Sequence, residues 1–268
     1  MARARAILMG LGVAALGAIG ACSLAACDDH SPVAAPSSSA KVATPLPPPP
    51  PPAASSSAPI VKRPPRACPD GAEMTFDDPE LEGAVRVQLQ LKDPKAPIKK
   101  GDLAKIKTLN LSRSKVSEMD PCVGPLVTGL KELTLAPGTF DDMKTLPPAK
   151  DLTTLILAGT AVADIGALSN YPKLDRLDLT KTNVTDLSAV GKLTALTELR
   201  INDTKISDLG PIATLDKLEV LELRNTLVAD LAPLKGLKKL KTLDVHGSKV
   251  TDTSPVKDLP KLHIVQSK

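Results

Sequence analysis

A leucine that returns every 22 residues is the feature that most constrains how this chain can fold. The regular set is Leu152, Leu174, Leu196, Leu218, Leu240 and Leu262. Each opens an L-x-x-L-x-[LIV] segment, shortened to Leu-His-Ile-Val at the last copy. A fixed period of this length indicates one supersecondary unit stacked on copies of itself. The pattern therefore predicts a repeat array, and it directs the search for function to a repeated surface instead of a catalytic pocket.

Two earlier copies begin at Ile106 and Leu130, so residues 106–268 are predicted to hold seven full repeats and a truncated eighth. The first repeat is 24 residues long and therefore carries a two-residue insertion. Repeat positions 1, 4, 6 and 11 are apolar and are predicted to be buried. Position 11 is occupied by Val116, Phe140, Val162, Val184, Ile206, Val228 and Val250. With no Trp, one Tyr and two Phe, the core must be aliphatic, which suits a regular array.

Two polar columns accompany the leucines. Position 9 is mostly hydroxylic and is predicted to bond to the backbone where each strand turns away: Ser114, Thr160, Thr182, Thr204, Thr226 and Ser248. Position 13 is always acidic: Glu118, Asp142, Asp164, Asp186, Asp208, Asp230 and Asp252. Each acid precedes a short turn whose free N–H groups it can cap. The Gly-Gly-x-Gly-x-Asp spacing of calcium-binding repeats is absent. We assign the acids to structure and expect no metal or other cofactor.

A helix is predicted to start ahead of the repeats, at Asp78-Pro79-Glu80. Asp78 can cap the helix, Pro79 suits its first position, and an acid is favoured in the first turn. One apolar face follows at Leu81, Val85 and Leu89. The helix is expected to run to Asp93-Pro94, and the first strand to span Ile106 to Leu111.

These elements resemble those of the internalin-type leucine-rich-repeat proteins. The match to their N-terminal cap is carried by Phe76, Asp78, Leu81, Ala84, Val85, Arg86, Ile98, Asp102 and Leu103. The recurring Thr-x-Val-x-Asp-Leu extends it over roughly residues 74–268. The resemblance implies an α/β right-handed solenoid. Its parallel sheet would line the concave face, short 3₁₀ turns the convex face, and a helical cap over residues 68–105 would cover the apolar end.

The sequence departs from that family at its C-terminal end. The immunoglobulin-like segment that follows the repeats in internalins is not found, and neither is their cell-wall sorting tail. We expect the last strand to be an open edge. Its lysines would discourage edge pairing: Lys257, Lys261 and Lys268.

The N-terminal residues have the layout of an export signal. Arg3 and Arg5 precede an uncharged apolar run that is too short to favour a permanent membrane span. The boundary Leu24-Ala25-Ala26-Cys27 resembles the bacterial lipobox, in which the leader is cut before the cysteine and the cysteine is acylated. The resemblance implies a signal peptide over 1–26 and lipidation of Cys27. Cys22 is a weaker candidate, and an ordinary secretory signal is the alternative.

Residues 27–67 are predicted to be a disordered tether. Ala, Ser and Pro make up 27 of its 41 residues, with an unbroken run from Pro47 to Pro52, so it cannot offset its ordering entropy. Its reach is at most on the order of 100 Å. Acyl chains at its start would hold the protein on a membrane of the cell envelope, on either a periplasmic or a surface face.

Cys68 and Cys122 remain once Cys22 leaves with the leader and Cys27 is acylated. Two leftover cysteines in an exported protein favour a disulfide, and the alternative is two free buried thiols.

Strand alternation sends repeat positions 3, 5 and 7 to the concave face. The N-terminal half of this face is small and neutral, and the C-terminal half is charged. The predicted protein-binding residues are Arg176, Asp178, Glu198, Arg200, Glu222, Arg224, Asp244 and His246. Asp178, Arg200 and Glu222 are expected to pair with one another, since they occupy adjacent strands.

The leading functional hypothesis is a surface-tethered module that binds another protein, or a glycan, through its concave face. The alternative is a structural spacer of the cell envelope without a ligand groove. The chain has three histidines and none belongs to a catalytic constellation, so an enzyme is not expected. The formal net charge of +4, with acids and bases interspersed, does not indicate a nucleic-acid partner.

Overall fold

The computed structural model describes residues 67–68, 70–114 and 119–266. The first elements are β1 (Glu73–Met74), α1 (Pro79–Gln88), β2 (Ile98–Lys99) and α2 (Lys100–Leu103). β1 pairs antiparallel with β2, placing Met74 opposite Ile98, and this small sheet was not predicted from the sequence. Leu81 and Val85 of α1 are buried, as their helical spacing predicts.

The repeats form one parallel sheet of eight strands, ordered as they occur in the chain. The strands are β3 (Thr108–Leu111), β4 (Glu132–Leu135), β5 (Thr154–Ile156), β6 (Arg176–Asp178), β7 (Glu198–Arg200), β8 (Val220–Glu222), β9 (Thr242–Asp244) and β10 (His263–Val265). Equivalent repeat positions face each other, as Leu177 faces Leu199. A 3₁₀ turn lies in each connection between consecutive strands: Gly124–Leu126, Met143–Thr145, Gly166–Asn170, Val190–Lys192, Gly210–Ile212, Ala232–Gly236 and Ser254–Val256. The predicted fold class is confirmed.

The predicted core positions are buried. In the repeat that starts at Leu174, for example, Leu174, Leu177, Leu179 and Val184 are at most 1% exposed. Phe140, the one aromatic residue in the position 11 column, is also buried. Val116 lies outside the described residues. The first strand begins at Thr108, two residues later than predicted, although Ile106 is buried as expected.

The two polar columns act on the backbone as predicted, except at Ser114, whose buried hydroxyl has no hydrogen-bond partner in the structure. The position 9 hydroxyls donate to the position 6 carbonyl oxygens at 2.7 to 2.9 Å in Thr160, Thr182, Thr204, Thr226 and Ser248. The position 13 carboxylates accept the N–H two residues further on at 2.7 to 2.9 Å in Asp142, Asp164, Asp186, Asp208, Asp230 and Asp252. Glu118 lies outside the described residues. Hydroxyl and N–H donors on Ser188 and Ser254 hold the pKa of Asp186 and Asp252 below the usual value.

The start of α1 is confirmed and its predicted end is wrong. The Asp78 carboxylate accepts the N–H groups of Glu80 and Leu81 at 2.8 and 3.3 Å. The helix ends at Gln88, because Gln90 adopts a left-handed φ of 55°. The N–H groups of Gln90 and Leu91 then bond back to the carbonyls of Val87 and Arg86. This is the Schellman end that glycine usually makes, so a glutamine there gave no signal in the sequence.

Cys68 and Cys122 are joined by a disulfide bond in the structure, with Cα atoms 5.4 Å apart. The bond links the segment just before the cap to the first repeat. Among the described residues, no helix is long and apolar enough to cross a bilayer. The predicted signal peptide, Cys27 and nearly all of the predicted tether lie outside those residues.

Candidate protein-binding face

The eight predicted binding residues lie together on the sheet face opposite the core. Four belong to β6 and β7, and the other four lie in β8 and β9 or two residues beyond them. Because the strands are in register, residues of the same repeat position stand side by side. The sequence therefore brings the charged positions onto one continuous surface.

The first part of this surface is a chain of ion pairs through Glu198. Its carboxylate lies 3.6 Å from the Arg176 Nε atom and 2.6 Å from an Arg200 Nη atom. Arg200 also reaches forward, with its Nε atom 3.4 Å from a Glu222 carboxylate oxygen. Three strands are thereby connected through alternating charges.

The second part is built around Asp244, which is 2% exposed. One carboxylate oxygen accepts from both the Nε and Nη2 atoms of Arg224 at 2.6 Å. The other accepts the His246 backbone N–H at 3.1 Å, while the His246 residue is exposed. The hydrogen bond and charge of Asp244 raise the pKa of Arg224, so this guanidinium stays protonated.

Asn202 connects the two parts, and it is absent from the predicted set. Its side-chain N–H donates to Glu222 at 2.7 Å, and its carbonyl oxygen accepts the Arg224 backbone N–H at 2.8 Å. A signal was present, since Asn202 shares repeat position 7 with Arg224 and stands one strand earlier. An uncharged residue among charged ones was easy to overlook.

The expected pairing of Asp178 with Arg200 is wrong, although their Cα atoms are partners across β6 and β7. The Asp178 carboxylate instead accepts the Thr180 backbone N–H at 2.9 Å. Arg200 pairs with Glu198, which lies two residues earlier on the same strand and the same face. The prediction weighed cross-strand neighbours alone and missed this competing partner.

On this face the arginine side chains are more exposed than the acidic side chains with which they pair. The side chains of Arg176, Arg200 and Arg224 are 63%, 44% and 52% exposed, against 20%, 23% and 3% for Glu198, Glu222 and Asp244. A guanidinium has five N–H donors, so an arginine that is already paired with an acid on the sheet can still donate to a binding partner. The surface suits carboxylates or carbonyl oxygens of a partner.

The other half of the face carries a single charge, on the exposed Glu132 of β4. Its outward residues along β3 to β5 include Asn110, Thr134, Ile156, Ala136 and Ala158, and the last four are half-buried. Such a surface offers few polar anchors. The charged half therefore carries most of the capacity for specific recognition.

A cleft of about 210 Å³ on the turn side is lined by Asp141, Asp142, Met143, Lys144, Asp164 and Ala167. Asp142 and Asp164 already cap their own turns. In the part of the chain that the structure describes, no group of His, Cys, Asp or Glu is arranged to hold a metal ion. We assign the cleft no function.

The eight parallel strands, the 3₁₀ turns and the 22-residue repeats together form a leucine-rich-repeat solenoid. The family model of leucine-rich repeats in two copies matches residues 194–236 and 216–261. No curated protein matches the chain in sequence.

Solved structures of internalins from Listeria monocytogenes are similar to this chain. Internalin C2 is 25% identical over 72% of this chain and 94% of its own, with a TM-score of 0.64. The internalin inlF is 27% identical over 71% of this chain, also with a TM-score of 0.64, and the match covers 56% of its length. InlP, at 19% identity and a TM-score of 0.52 over 72% of this chain and 58% of its own, shares the fold. The chain thus has the internalin-like leucine-rich-repeat fold.

Proposed function

We propose that this chain is an exported lipoprotein, acylated at Cys27, whose concave face binds another protein or a glycan. In this proposal residues 27–67 tether the solenoid to a membrane of the cell envelope, and the Cys68–Cys122 disulfide secures its cap. The protein is not an enzyme, and it needs no cofactor. Leucine-rich-repeat proteins commonly bind other proteins through such a fold, which supports the proposal.

The observation that carries the proposal is the ordered set of exposed arginines. Their guanidinium groups are held by carboxylates on the sheet, and one of these carboxylates, that of Glu222, also accepts a hydrogen bond from Asn202. A partner would therefore pay little of the entropy that ordering long, free side chains normally costs. Arginine is also among the residues that contribute most at protein interfaces.

A spacer role is the second candidate, and the same ion pairs are its support. A face whose charges satisfy one another can remain solvated without any partner. In that case the array would act by its length, roughly 38 Å for eight strands, and by its stiffness.

Replacing two arginines distinguishes the candidates. Arg176→Gln with Arg200→Gln removes two exposed guanidinium groups, while Arg224 is kept because its loss would leave Asp244 buried without its partner. The matched control is Lys144→Gln with Lys205→Gln, which removes two exposed charges away from this face. We expect the first variant to lose partners in pull-downs from native envelope or extracellular extract, and the control to keep them. Identical partners for both would favour the spacer.

The anchor is tested at the cysteine itself. Mass spectrometry of the exported protein should find an N-terminal peptide that starts at Cys27 and carries acyl chains. Cys27→Ala should abolish palmitate incorporation, whereas Cys22→Ala should not change it. Acylation that persists in the Cys27 variant would contradict this part of the proposal.

A further inference from the structure

A patch of exposed lysines lies on the last repeats, outside the concave face. Three of them occupy the same repeat position, immediately before the leucine that opens the next repeat: Lys217, Lys239 and Lys261. All three are exposed. We refer to these three residues as the lysine column.

The backbone holds this column in register. Two residues after Lys239, the Lys241 N–H donates to the Glu219 carbonyl at 2.8 Å, and the His263 N–H donates to the Lys241 carbonyl at 2.8 Å. Consecutive turns are thereby stacked at about the 4.8 Å spacing of neighbouring strands. Three like charges at such a spacing repel one another unless a counter-charge is supplied.

An earlier lysine at this repeat position has such a counter-charge, whereas the described residues supply none within ion-pair distance to the lysine column. Lys173, which occupies the same position earlier, lies 2.6 Å from Asp151 one repeat before it. Ala195 separates that pair from the lysine column. Among the described residues, no carboxylate lies within ion-pair distance of the lysine column, since Glu219 pairs with Lys241 and Asp216 and Asp258 are exposed without such a contact.

Further lysines enlarge the positively charged patch around the lysine column. Lys235 and Lys257 share another repeat position, at the end of the 3₁₀ turns, and Lys238 precedes Lys239. All three are exposed, and the charge of Lys257 acts on Asp252, whose pKa it helps to lower. The connection from Leu231 to Leu240 contains three lysines and no acid. The patch therefore continues across the last two connections between strands.

We propose that the lysine column is a docking surface for an anionic membrane. The column consists of exposed side chains on successive repeats, an arrangement that does not enclose a small anion. Residues 210–268 contain no Phe, Tyr or Trp, whereas proteins that bind single-stranded nucleic acids use such side chains to stack bases. Flexible lysines at regular intervals fit a plane of anionic head groups, to which each contributes independently.

This contact would also orient the molecule. The lysine column belongs to the connections that lead into the strands, and the arginine-bearing face lies on the strands themselves. A solenoid that contacts the membrane through the lysine column would leave the concave face open to a partner. The inference goes beyond the proposed function and does not depend on acylation or on a concave-face ligand.

The test uses the full chain with Cys27→Ala, so that acyl chains cannot contribute to binding. Its affinity is measured for phosphatidylcholine vesicles with and without phosphatidylglycerol, and the ratio of the two affinities is the readout. The parent and the variants carry the same N-terminal segment, so a contribution from an uncut leader, including its Arg3 and Arg5 charges, cancels when their ratios are compared. Lys217→Gln with Lys239→Gln and Lys261→Gln is compared with the charge-matched control Lys144→Gln with Lys205→Gln and Lys249→Gln.

We expect the column variant to lose on the order of 100-fold of the preference for anionic vesicles, at roughly fivefold per lysine. The control should lose far less, and 1 M salt should remove the preference from the parent chain. Equal losses in the two variants would overturn the proposal, because net charge alone would then explain binding. Lysine-dependent binding to soluble polyphosphate without binding to anionic vesicles would also overturn it, since the occupant would be a polyanion in solution.

Discussion

The first repeats of the array and the last four share one leucine core but use their polar residues differently. The N-terminal end has a capping helix, a disulfide and one repeat of irregular length, and its concave face is nearly neutral. The later repeats keep the 22-residue period and concentrate charge on two surfaces. The comparison teaches that closing a solenoid and presenting a binding surface place separate demands on the sequence. Each demand can be tested without disturbing the other.

Loss of the disulfide should have the largest effect and should act on the N-terminal end. Cys68→Ser with Cys122→Ser opens a loop defined by a sequence separation of 54, which should cost about 4 kcal/mol of unfolding free energy. Hydrogen exchange should accelerate in α1 and β3 and remain slow in β7 to β9, because each repeat contacts only its neighbours. Reductant should have the same effect on the parent chain. A uniform loss of protection along the array would contradict the separation of the two ends.

Tyr171 provides the next test. Its hydroxyl donates to the Pro147 carbonyl at 3.0 Å, whereas the same repeat position holds leucine in the later repeats: Leu193, Leu215, Leu237 and Leu259. Tyr171→Phe should cost about 1–1.5 kcal/mol, since the buried Pro147 carbonyl would lose one of its two donors and keep the Ala149 N–H at 2.8 Å. Tyr171→Leu measures whether the regular residue can replace it. Urea denaturation of both variants gives these values, and no loss in either would show that the irregular contact is dispensable.

The pH dependence of the same residue has a definite sign. Burial raises the pKa of Tyr171 to about 12, above the value of 10 in an unfolded chain. Between these values the unfolded chain loses the phenol proton first, so Tyr171 should lower the unfolding free energy as pH rises from 10 towards 12. The Tyr171→Phe variant should lack this decline. Lysine deprotonation affects both proteins, so the difference between their curves isolates the tyrosine.

The helix cap is expected to matter less. Asp78→Ala removes the side chain that accepts the Glu80 and Leu81 N–H groups and should cost about 1 kcal/mol. Its effect should be confined to the N-terminal end, whereas Asp208→Ala, which removes the cap of a later 3₁₀ turn, should loosen the later repeats. Hydrogen exchange locates each effect. Overlapping changes in the two variants would mean that the ends are more strongly coupled than the fold suggests.

The smallest effect is expected on the charged face. Arg200→Gln breaks ion pairs with Glu198 and Glu222, but Arg200 is 44% exposed, so the cost should be below about 1 kcal/mol and should shrink with added salt. Thermal unfolding at low and high salt measures it. A larger, salt-independent loss would indicate that these pairs hold the solenoid together, which would favour a structural role for the face.

Much of the fold followed from short-range patterns. The buried positions, most hydroxyl bonds of the position 9 column and the turn caps of the position 13 column could be predicted because each recurs at a fixed repeat position. Ser114 is the exception in the position 9 column, since its hydroxyl has no partner. The end of α1 could not, since Gln90 adopts a backbone conformation that its side chain does not encode. The β1–β2 pair was also missed, because two-residue strands leave no periodicity to detect.

The candidate site was likewise predicted in part: its residues were identified from the sequence, but not all of their pairings were. Its residues were found from strand alternation, which decides the face on which a side chain lies. Their pairing was partly wrong, because Arg200 could reach either Asp178 or Glu198 and only the packed arrangement chose Glu198. The burial of Asp244 and the bridging role of Asn202 likewise depend on neighbours one strand away.

The sequence alone determined the solenoid, since a repeated leucine pattern permits one way of burying its apolar positions. The tertiary structure decided which charges satisfy one another and which remain available. Side-chain pairing depends on distances of a few ångströms between strands, and hydrophobic burial depends only on the face to which a residue points. The unpaired lysines and the exposed arginines became distinguishable from the other charges for that reason.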